Sequence, residues 1–325
     1  MKAAVVEGPG GPEVLRVTEV PTPEARPGWV LVRVRGAGLN RSEMFTRQGH
    51  SPGVRFPRVL GIELVGEVAD GSDSGLPAGQ KVAVAMGGLG RQYDGGYAEY
   101  ALVPTRQVFP LETELPWETL AAIPETFLTA WGSVVEAMEV AAGQTLLVRG
   151  GTSALGMAAT LIAKDRGARV TATTRNPDKL EALRANGADD VIIDEGSIAQ
   201  EARRRVPEGF DGTLELVGTV TLLDSLRTVR RRGVVCMSGI LGNAWTLAEF
   251  EPLVMIPPTV RLTVYDSETL TGDNGTRALQ QIVDAVGAGR YRVNVDRVFR
   301  LDEIAEAHRH MEENRAAGKL VVLMD

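Results

Sequence analysis

The sequence contains one cysteine, Cys236, and three histidines among its 325 residues. One thiol cannot form an intrachain disulfide, a four-cysteine zinc lobe or an iron–sulfur cluster within the chain. His308 and His310 stand two apart on a predicted helix and point about 200° apart, so they cannot share a metal ion. Any metal site would have to rest on carboxylates, and we predict none.

Long apolar runs and an excess of basic residues are also missing. No stretch reaches the ~18 uninterrupted apolar residues that a membrane span needs, and no apolar leader opens the chain. Lysine and arginine total 35 against 42 acidic residues, a formal charge of −7, so no basic surface for nucleic acid is indicated. We expect a cytoplasmic protein that binds neither membrane nor nucleic acid.

The ordinary content of apolar residues, 44%, predicts a folded chain, and its length indicates about two domains. Up to about residue 110 the chain reads as short strands separated by Gly and Pro, as in the alternating segment 30–35, which favours a β-rich barrel or sandwich. Helical spacing begins near Pro116, and from Gln144 strands alternate with helices. The second half is therefore predicted to be α/β, a doubly wound parallel sheet.

A glycine-rich turn follows the strand that ends near residue 149. Gly151 and Gly156 match the first and last glycines of G-x-G-x-x-G, while Ser153 occupies the middle position. The amides of a helix beginning here would face a pyrophosphate. The candidate dinucleotide-binding residues are Gly151, Thr152, Ser153, Ala154, Leu155 and Gly156. The alternative is a glycine-rich strand-to-helix turn that binds nothing.

The end of the next predicted strand indicates which dinucleotide binds. An NAD-binding fold usually places an acid there for the ribose 2′-hydroxyl, but this chain has Thr174 and Arg175, with Lys179 one helical turn further on. A guanidinium can pair with a 2′-phosphate, which an acid would repel. We therefore predict NADPH as the cofactor. The alternative for Arg175 and Lys179 is ordinary surface charge.

With these motifs in place, the chain resembles the zinc-independent quinone oxidoreductase branch of the medium-chain dehydrogenase/reductase superfamily. The matching segments, in co-linear order along essentially the whole chain, are 38–43, Arg47, Gly49, 57–63, Gly66, 94–100, 128–131, 151–156, 216–218 and Gly239. The resemblance implies a GroES-like β-rich catalytic domain, residues 1–122 and 263–325, interrupted by a Rossmann domain, residues 123–262. It also implies a homodimer joined at the segment VRLTVYD, residues 260–266.

The chain departs from the superfamily's zinc enzymes at the metal ligands. Those enzymes have cysteine where this chain has Asn40, and histidine where it has Ile62. Catalytic zinc needs three protein ligands, so zinc chemistry is not expected. Glu43 and Glu63 remain as a carboxylate pair, or alternatively as ion-pair partners of Arg41 or Arg47. Hydride transfer to a quinone or an α,β-unsaturated carbonyl needs no metal, because the product anion is delocalised.

The resemblance also implies roles for single residues. Asn40 and Thr129 would contact the nicotinamide part of the cofactor. Phe45 stands where several of these reductases have tyrosine, so either water protonates the product, or Arg47 or Tyr265 contacts the acceptor oxygen. The candidate catalytic residues are Asn40, Arg47 and Tyr265, and the further cofactor-binding candidates are Val217, Gly239, Ile240, Leu241 and Lys319. For Lys319 the alternative is a cation at a helix C-terminus.

Two other functions stay open at this point. The first is an enoyl or 2-alkenal reductase of a specialised pathway, which uses the same hydride geometry on a different acceptor. The second is a non-catalytic NADPH-binding redox sensor, which is motivated by Phe45 and by the lack of a clear proton donor.

Overall fold

A computed structural model of the chain describes residues 1–313, 315–316 and 318–324. They form two compact units, unit 1 comprising Met1–Leu128 with Ser267–Asp325, and unit 2 comprising Thr129–Asp266. The first boundary between the units falls after Leu128, inside the helix Pro124–Trp131, whereas the boundary expected from the sequence follows residue 122. The second boundary falls after Asp266, whereas the expected one follows residue 262. Both boundaries therefore lie a few residues later than expected.

Unit 1 is built on a mostly antiparallel sheet, in which the strands Val295–Arg300 and Lys319–Leu323 pair in parallel. The strand with the alternating pattern, β3 (Trp29–Gly38), is central. Val30, Val32 and Val34 are buried along β3, while the residues between them are more exposed, because successive side chains of a strand point to opposite faces. The strand order is β15-β16-β3-β5-β6-β8, with β7 also pairing with β3, and β2-β1-β4 forms a second small sheet. The strands are β1 Lys2–Val6, β2 Arg16–Glu19, β3 Trp29–Gly38, β4 Arg58–Val59, β5 Glu63–Asp70, β6 Lys81–Ala85, β7 Tyr100–Pro104, β8 Val108–Pro110, β15 Val295–Arg300 and β16 Lys319–Leu323.

The helices of unit 1 are short except for the one that covers its edge near β8. They are α1 Arg41–Arg47, α2 Trp117–Leu120, the start of α3 Pro124–Trp131, α9 Gly272–Gly287 and α10 Ile304–Glu312. At α1, Asn40 and Glu43 form a reciprocal capping box, which satisfies amides that the first turn leaves free. α2 begins at Trp117, and Pro116 precedes it in an extended conformation as its N-cap residue.

Unit 2 contains a six-stranded parallel sheet. Its strand order is β11-β10-β9-β12-β13-β14, which is the 3-2-1-4-5-6 order of a Rossmann fold. The central strands are buried on both faces, as expected for a parallel sheet covered by helices. The strands are β9 Thr145–Arg149, β10 Arg169–Thr174, β11 Asp190–Ile193, β12 Phe210–Glu215, β13 Val229–Met237 and β14 Arg261–Val264.

The helices of unit 2 follow the strands in the expected alternation. They are α4 Ala154–Asp165, α5 Leu180–Ala185, α6 Ala199–Arg205, α7 Thr219–Ser225 and α8 Pro252–Met255. The helix that leads into unit 2 is α-helical over Pro124–Trp131 and continues as a π-helix over Gly132–Ala137. None of the helices in the described ranges is long and apolar enough to cross a membrane.

Candidate functional site

In unit 2, the glycine-rich turn connects β9 to α4 at the carboxyl edge of the sheet. A Cβ on Gly156 would lie 2.6 Å from the Gly150 carbonyl oxygen, and one on Gly151 would lie 2.9 Å from the Ala172 Cβ. Both positions therefore require glycine for close approach of helix and strand. The Gly151 amide donates to the Thr173 carbonyl at 3.0 Å, which holds the turn against β10.

Three backbone amides of this turn are available to a ligand. Those of Thr152, Ala154 and Leu155 donate to no acceptor within the part of the chain that the structure describes. Ser153 caps α4: its hydroxyl accepts from the Gly156 amide at 3.1 Å and donates to the Gly150 carbonyl at 2.8 Å. The Ser153 hydroxyl is thus used by the turn itself. The free amides at the positive end of a 12-residue helix fit the diphosphate of a dinucleotide.

The end of β10 presents positive charge next to this turn. Arg175 is exposed and Lys179 is half-buried, and neither has an ion-pair partner among the residues described. Asp178 is the one acid between them, and its side chain is also exposed. The Thr174 hydroxyl accepts from the Asn176 amide at 3.1 Å, so it stabilises its own turn, and its predicted contact with a phosphate stays a prediction.

The turns after β12 and β13 lie against each other at the same edge. The Leu241 amide donates to the Leu216 carbonyl at 3.0 Å, and the Gly242 amide donates to the Val217 carbonyl at 2.8 Å. A Cβ on Gly239 would lie 2.6 Å from the Leu216 carbonyl oxygen, so this crossing requires glycine. Val217, Gly239, Ile240 and Leu241 are thereby brought to the edge that carries the glycine-rich turn. Whether they touch the cofactor stays a prediction.

In unit 1, a buried ammonium group joins the residues at the start of α1 and β5. Lys319 Nζ lies 2.6 Å from Glu63 Oε1 and donates to Asn40 Oδ1 at 2.6 Å, while Asn40 Nδ2 donates to Glu63 Oε1 at 2.9 Å. Glu63 Oε2 accepts the Glu125 amide at 2.8 Å, at the start of α3. Lys319 begins β16 rather than ending a helix, so the alternative of a helix C-terminal cation is wrong.

Glu43 lies beside this group and is 1% exposed. Its carboxylate accepts the Asn40 amide at 3.0 Å and the Ile62 amide at 3.1 Å. Burial raises the pKa of Glu43 to about 7, with a small contribution from Glu63, against the hydrogen bond from Ile62 and the charge of Lys319. Glu43 is therefore a carboxyl group that titrates near neutrality inside unit 1.

Arg47 does not pair with either of these carboxylates, so the Arg47 part of the ion-pair alternative is wrong, while the Arg41 part stays a prediction. Its guanidinium is fully buried, donates to the Gly10 carbonyl and pairs with Glu312 of α10. Burial, followed by the charge of Arg47, lowers the pKa of the neighbouring His308 to about 3, so this histidine is neutral. An acceptor contact by Arg47 would require these internal contacts to open.

The two remaining candidates, Thr129 and Tyr265, are both in unit 2. Thr129 is buried in α3, and its carbonyl accepts the Ser133 hydroxyl at 2.7 Å. Tyr265 follows β14, its ring lies directly over Gly132, where a Cβ would overlap with it, and its hydroxyl is buried. The ring packing explains why position 132 is glycine. The proposed contact of Tyr265 with an acceptor stays a prediction.

Sequence reasoning missed one group of site residues, the charged side chains beneath the dinucleotide edge of unit 2. Arg149 is the last residue of β9 and is fully buried, where it binds Asp194 and Asp224. The signal that could have revealed it is an arginine at the end of an otherwise apolar strand, TLLVR, directly before the glycine-rich turn. A buried arginine must bring its own partners.

Comparisons with known proteins agree with this architecture. Residues 26–113 match the family model for the alcohol dehydrogenase GroES-like domain, and residues 186–322 match that for zinc-binding dehydrogenase. The chain is 27% identical to the quinone oxidoreductase of Pongo abelii, over 100% of this chain and 98% of the relative.

Solved structures give the same result. A crystal structure titled as an NAD-dependent alcohol dehydrogenase has a TM-score of 0.87 and 30% identity, covering 100% of both chains. The mycobacterial protein Rv1454c, solved as a complex with NADPH, has a TM-score of 0.89 and 25% identity, covering 99% of both chains.

A GroES-like antiparallel unit combined with a Rossmann unit that presents free amides defines an oxidoreductase with a nicotinamide dinucleotide fold. The chain belongs to the medium-chain dehydrogenase/reductase superfamily, and it is similar over its whole length to quinone oxidoreductases. The relatives therefore support an enzyme rather than a non-catalytic sensor.

The raised pKa of Glu43 predicts a pH effect on stability. Between about pH 4.5 and 7 the native chain retains a proton that the unfolded chain releases, so this group lowers the free energy of unfolding as pH rises. Glu43→Gln removes the effect. We therefore expect the melting temperature of Glu43→Gln minus that of wild type to increase from pH 5 to pH 8. The corresponding change in the difference between their free energies of unfolding is about 3 kcal/mol.

Differential scanning fluorimetry across this pH range measures the difference. Glu67→Gln is the control, because Glu67 pairs with Arg35 and both side chains are partly exposed, so it should not show this rise. A constant difference between Glu43→Gln and wild type from pH 5 to pH 8 would contradict the assignment.

Proposed function

We propose that the protein is an NADPH-dependent, zinc-independent reductase that transfers a hydride to a quinone or a related α,β-unsaturated carbonyl. The observation that carries this proposal is the Lys319 ammonium, held by Asn40 and Glu63. In the zinc enzymes that the chain resembles, the position of Asn40 is a metal ligand. Here the carboxylate and amide oxygens of this group already bind a cation, and Ile62 offers no ligand atom.

The absence of metal ligands limits the substrates that the site can serve. Alcohol oxidation requires a group that stabilises an alkoxide, which zinc does in the related dehydrogenases. A quinone or an enone accepts a hydride with its negative charge delocalised onto oxygen, and protonation there completes a two-electron reduction. The name of the Pongo abelii relative, a quinone oxidoreductase, supports this class of acceptor.

The residues of this chain would bind and orient the cofactor, which supplies the hydride when bound. The free amides of Thr152, Ala154 and Leu155 suit its diphosphate, as argued above. Asn40 is partly exposed, and its side chain is held in place because Oδ1 accepts from Lys319 and Nδ2 donates to Glu63. The resemblance to the family places Asn40 against the nicotinamide part of the cofactor.

The choice of NADPH rests on the end of β10. One solved relative was crystallised with NADPH and another is named as NAD-dependent, so relatives alone do not decide the cofactor. Arg175 and Lys179 are without ion-pair partners in the described ranges, and the position that would hold an acid for the ribose is Thr174. This arrangement favours the 2′-phosphate.

Arg175→Glu tests the cofactor assignment. We expect the dissociation constant for NADPH to rise by about tenfold or more, because a guanidinium that attracts the 2′-phosphate becomes a carboxylate that repels it, while NADH binding is retained. Nicotinamide fluorescence titrations give both constants. Arg169→Glu, an exposed change at the opposite end of β10, is the matched control and should leave their ratio unaltered. Equal affinity of the wild-type protein for NADH and NADPH would end the NADPH proposal.

The metal-independent mechanism is tested by exhaustive chelation. NADPH oxidation with a quinone, a 2-alkenal and a crotonyl thioester, assayed in parallel, should continue at an unchanged rate after chelation, because Lys319 supplies the buried cation. The fastest acceptor also separates quinone reduction from enoyl or 2-alkenal reduction. Activity that disappears on chelation and returns with Zn²⁺ contradicts the proposal.

We further propose that unit 2 forms a homodimer through β14. This strand is the edge of the six-stranded sheet, so one side of its backbone is unpaired within the described chain. Several large apolar side chains in and before it are exposed, namely Trp245, Leu253, Val254 and Val264. Antiparallel pairing with a second copy would satisfy the backbone and cover this surface.

Val264→Asp should therefore convert a dimer into a monomer. Light scattering coupled to size-exclusion chromatography measures the mass directly. Val298→Asp, a partly exposed valine on the edge strand β15 of unit 1, is the matched control and should leave the mass at twice that of one chain. A wild-type protein that elutes as a monomer at micromolar concentration contradicts the β14 assignment.

A further inference from the structure

Arg149 has a binding pattern that packing alone does not require. It ends β9, immediately before the glycine-rich turn, and its side chain is fully buried. Nε and Nη2 donate to the two oxygens of Asp194 at 2.8 and 3.0 Å, and Nη1 donates to Asp224 at 2.8 Å and to the Ser225 hydroxyl at 3.0 Å. One guanidinium therefore holds two carboxylates, one after β11 and one in α7.

A third carboxylate, Glu215 at the end of β12, lies in the same group. It accepts the Ser225 hydroxyl at 2.5 Å and the amides of Val217 and Gly218 at 2.6 and 2.9 Å. Burial raises the pKa of Glu215, with hydrogen bonds and the charge of Arg149 opposing it. Three acidic groups thus share one buried cation below the carboxyl edge of the sheet.

Arg149 keeps Asp194 ionised and paired. Burial works against the charge of Asp194, but the hydrogen bond and charge of Arg149 hold its pKa below the ordinary value. The pKa of Arg149 is in turn raised: burial opposes this, but the hydrogen bond and charge of Asp194, with Glu215 and Asp224, outweigh it. Removing Arg149 would leave a carboxylate that is buried and no longer compensated.

Asp194 is also next to the place that selects the cofactor. Its amide donates to the Thr174 carbonyl at 2.8 Å. Thr174 of β10 is paired with Ile193 of β11, and Asp194 is the residue after Ile193. Arg175, the proposed partner of the 2′-phosphate, is the next residue along β10. The charge on Asp194 is therefore one strand away from the site where NADPH and NADH differ, and in a protein interior such charges interact over this range.

We propose that Arg149 is a positioning residue for cofactor specificity: by pairing bidentately with Asp194 it compensates the charge of that carboxylate, which would disfavour a 2′-phosphate at the end of β10. The proposal rests on the NADPH preference argued above and extends it to a residue that need not touch the cofactor. It differs from a purely structural role because it predicts a change in the ratio of two affinities.

The test compares the dissociation constants of NADPH and NADH by fluorescence titration. For Arg149→Gln, we expect the constant for NADPH to rise about tenfold more than that for NADH, because only NADPH carries the additional phosphate. The double variant Arg149→Gln with Asp194→Asn should restore most of the wild-type ratio, since it removes the uncompensated charge. Equal weakening of both cofactors, or no restoration in the double variant, overturns the proposal.

Asp194→Asn alone keeps the proposal testable if Arg149→Gln does not fold. This variant leaves less negative charge around Arg149, so the preference for NADPH over NADH should increase. A decrease in this preference overturns the inference. Arg230→Gln is the control, because Arg230 forms an ion pair with Asp211 at 2.7 Å at the amino end of the same sheet. In this variant the ratio of the dissociation constants of NADPH and NADH should equal that of wild type.

The two proposals fail differently. If wild type does not prefer NADPH, the proposed cofactor is wrong, and the ratios of the Arg149 and Asp194 variants still show whether this pair influences selection. If wild type prefers NADPH and the ratios do not change, the cofactor assignment stands and the role of Arg149 is wrong.

Discussion

The ion pair between Lys319 and Glu63 connects every element that carries the site in unit 1. Lys319 is on β16, near the end of the chain, Glu63 begins β5, Asn40 caps α1, and the amide of Glu125 belongs to α3. Removing two charges from water costs several kcal/mol, which is offset here because nearly every hydrogen-bonding position is filled. The position of Asn40, and through it the proposed cofactor contact, depends on that pair.

Unit 2 also contains a buried cation that is compensated by ion pairs, at the carboxyl edge of its parallel sheet. Arg149 is a buried cation that binds one carboxylate after β11 and one in α7, as Lys319 binds an amide oxygen and a carboxylate in unit 1. The carboxyl edge of a parallel sheet attracts anions through free amides and helix dipoles. Acidic side chains at that edge oppose this attraction, so their neutralisation is part of making the edge suitable for a dinucleotide.

Local patterns predicted much of the fold and the nucleotide turn. The alternation in β3, the strand and helix periods of unit 2 and the spacing of Gly151 and Gly156 depend on residues close in sequence, and the structure shows these elements. The partners of buried charges were not predictable in this way. Lys319 and Glu63 are far apart in the chain, and Arg47 was an equally reasonable partner for Glu63 until the fold placed it against Glu312. The change from α- to π-helix after Trp131 was not predictable from local patterns either.

By itself, the sequence determined that the chain is an α/β protein with a glycine-rich strand-to-helix turn, that Asn40 and Ile62 are neither cysteine nor histidine, and that Thr174 rather than an acid ends β10. These conclusions need only residue identity and spacing, because backbone sterics and ligand chemistry act locally. Only the tertiary structure decided that Lys319 provides the buried cation beside Asn40, that burial raises the pKa of Glu43 to about 7, and that Arg149 pairs with Asp194. Burial and charge pairing depend on which distant segments meet, and that is a property of the folded chain.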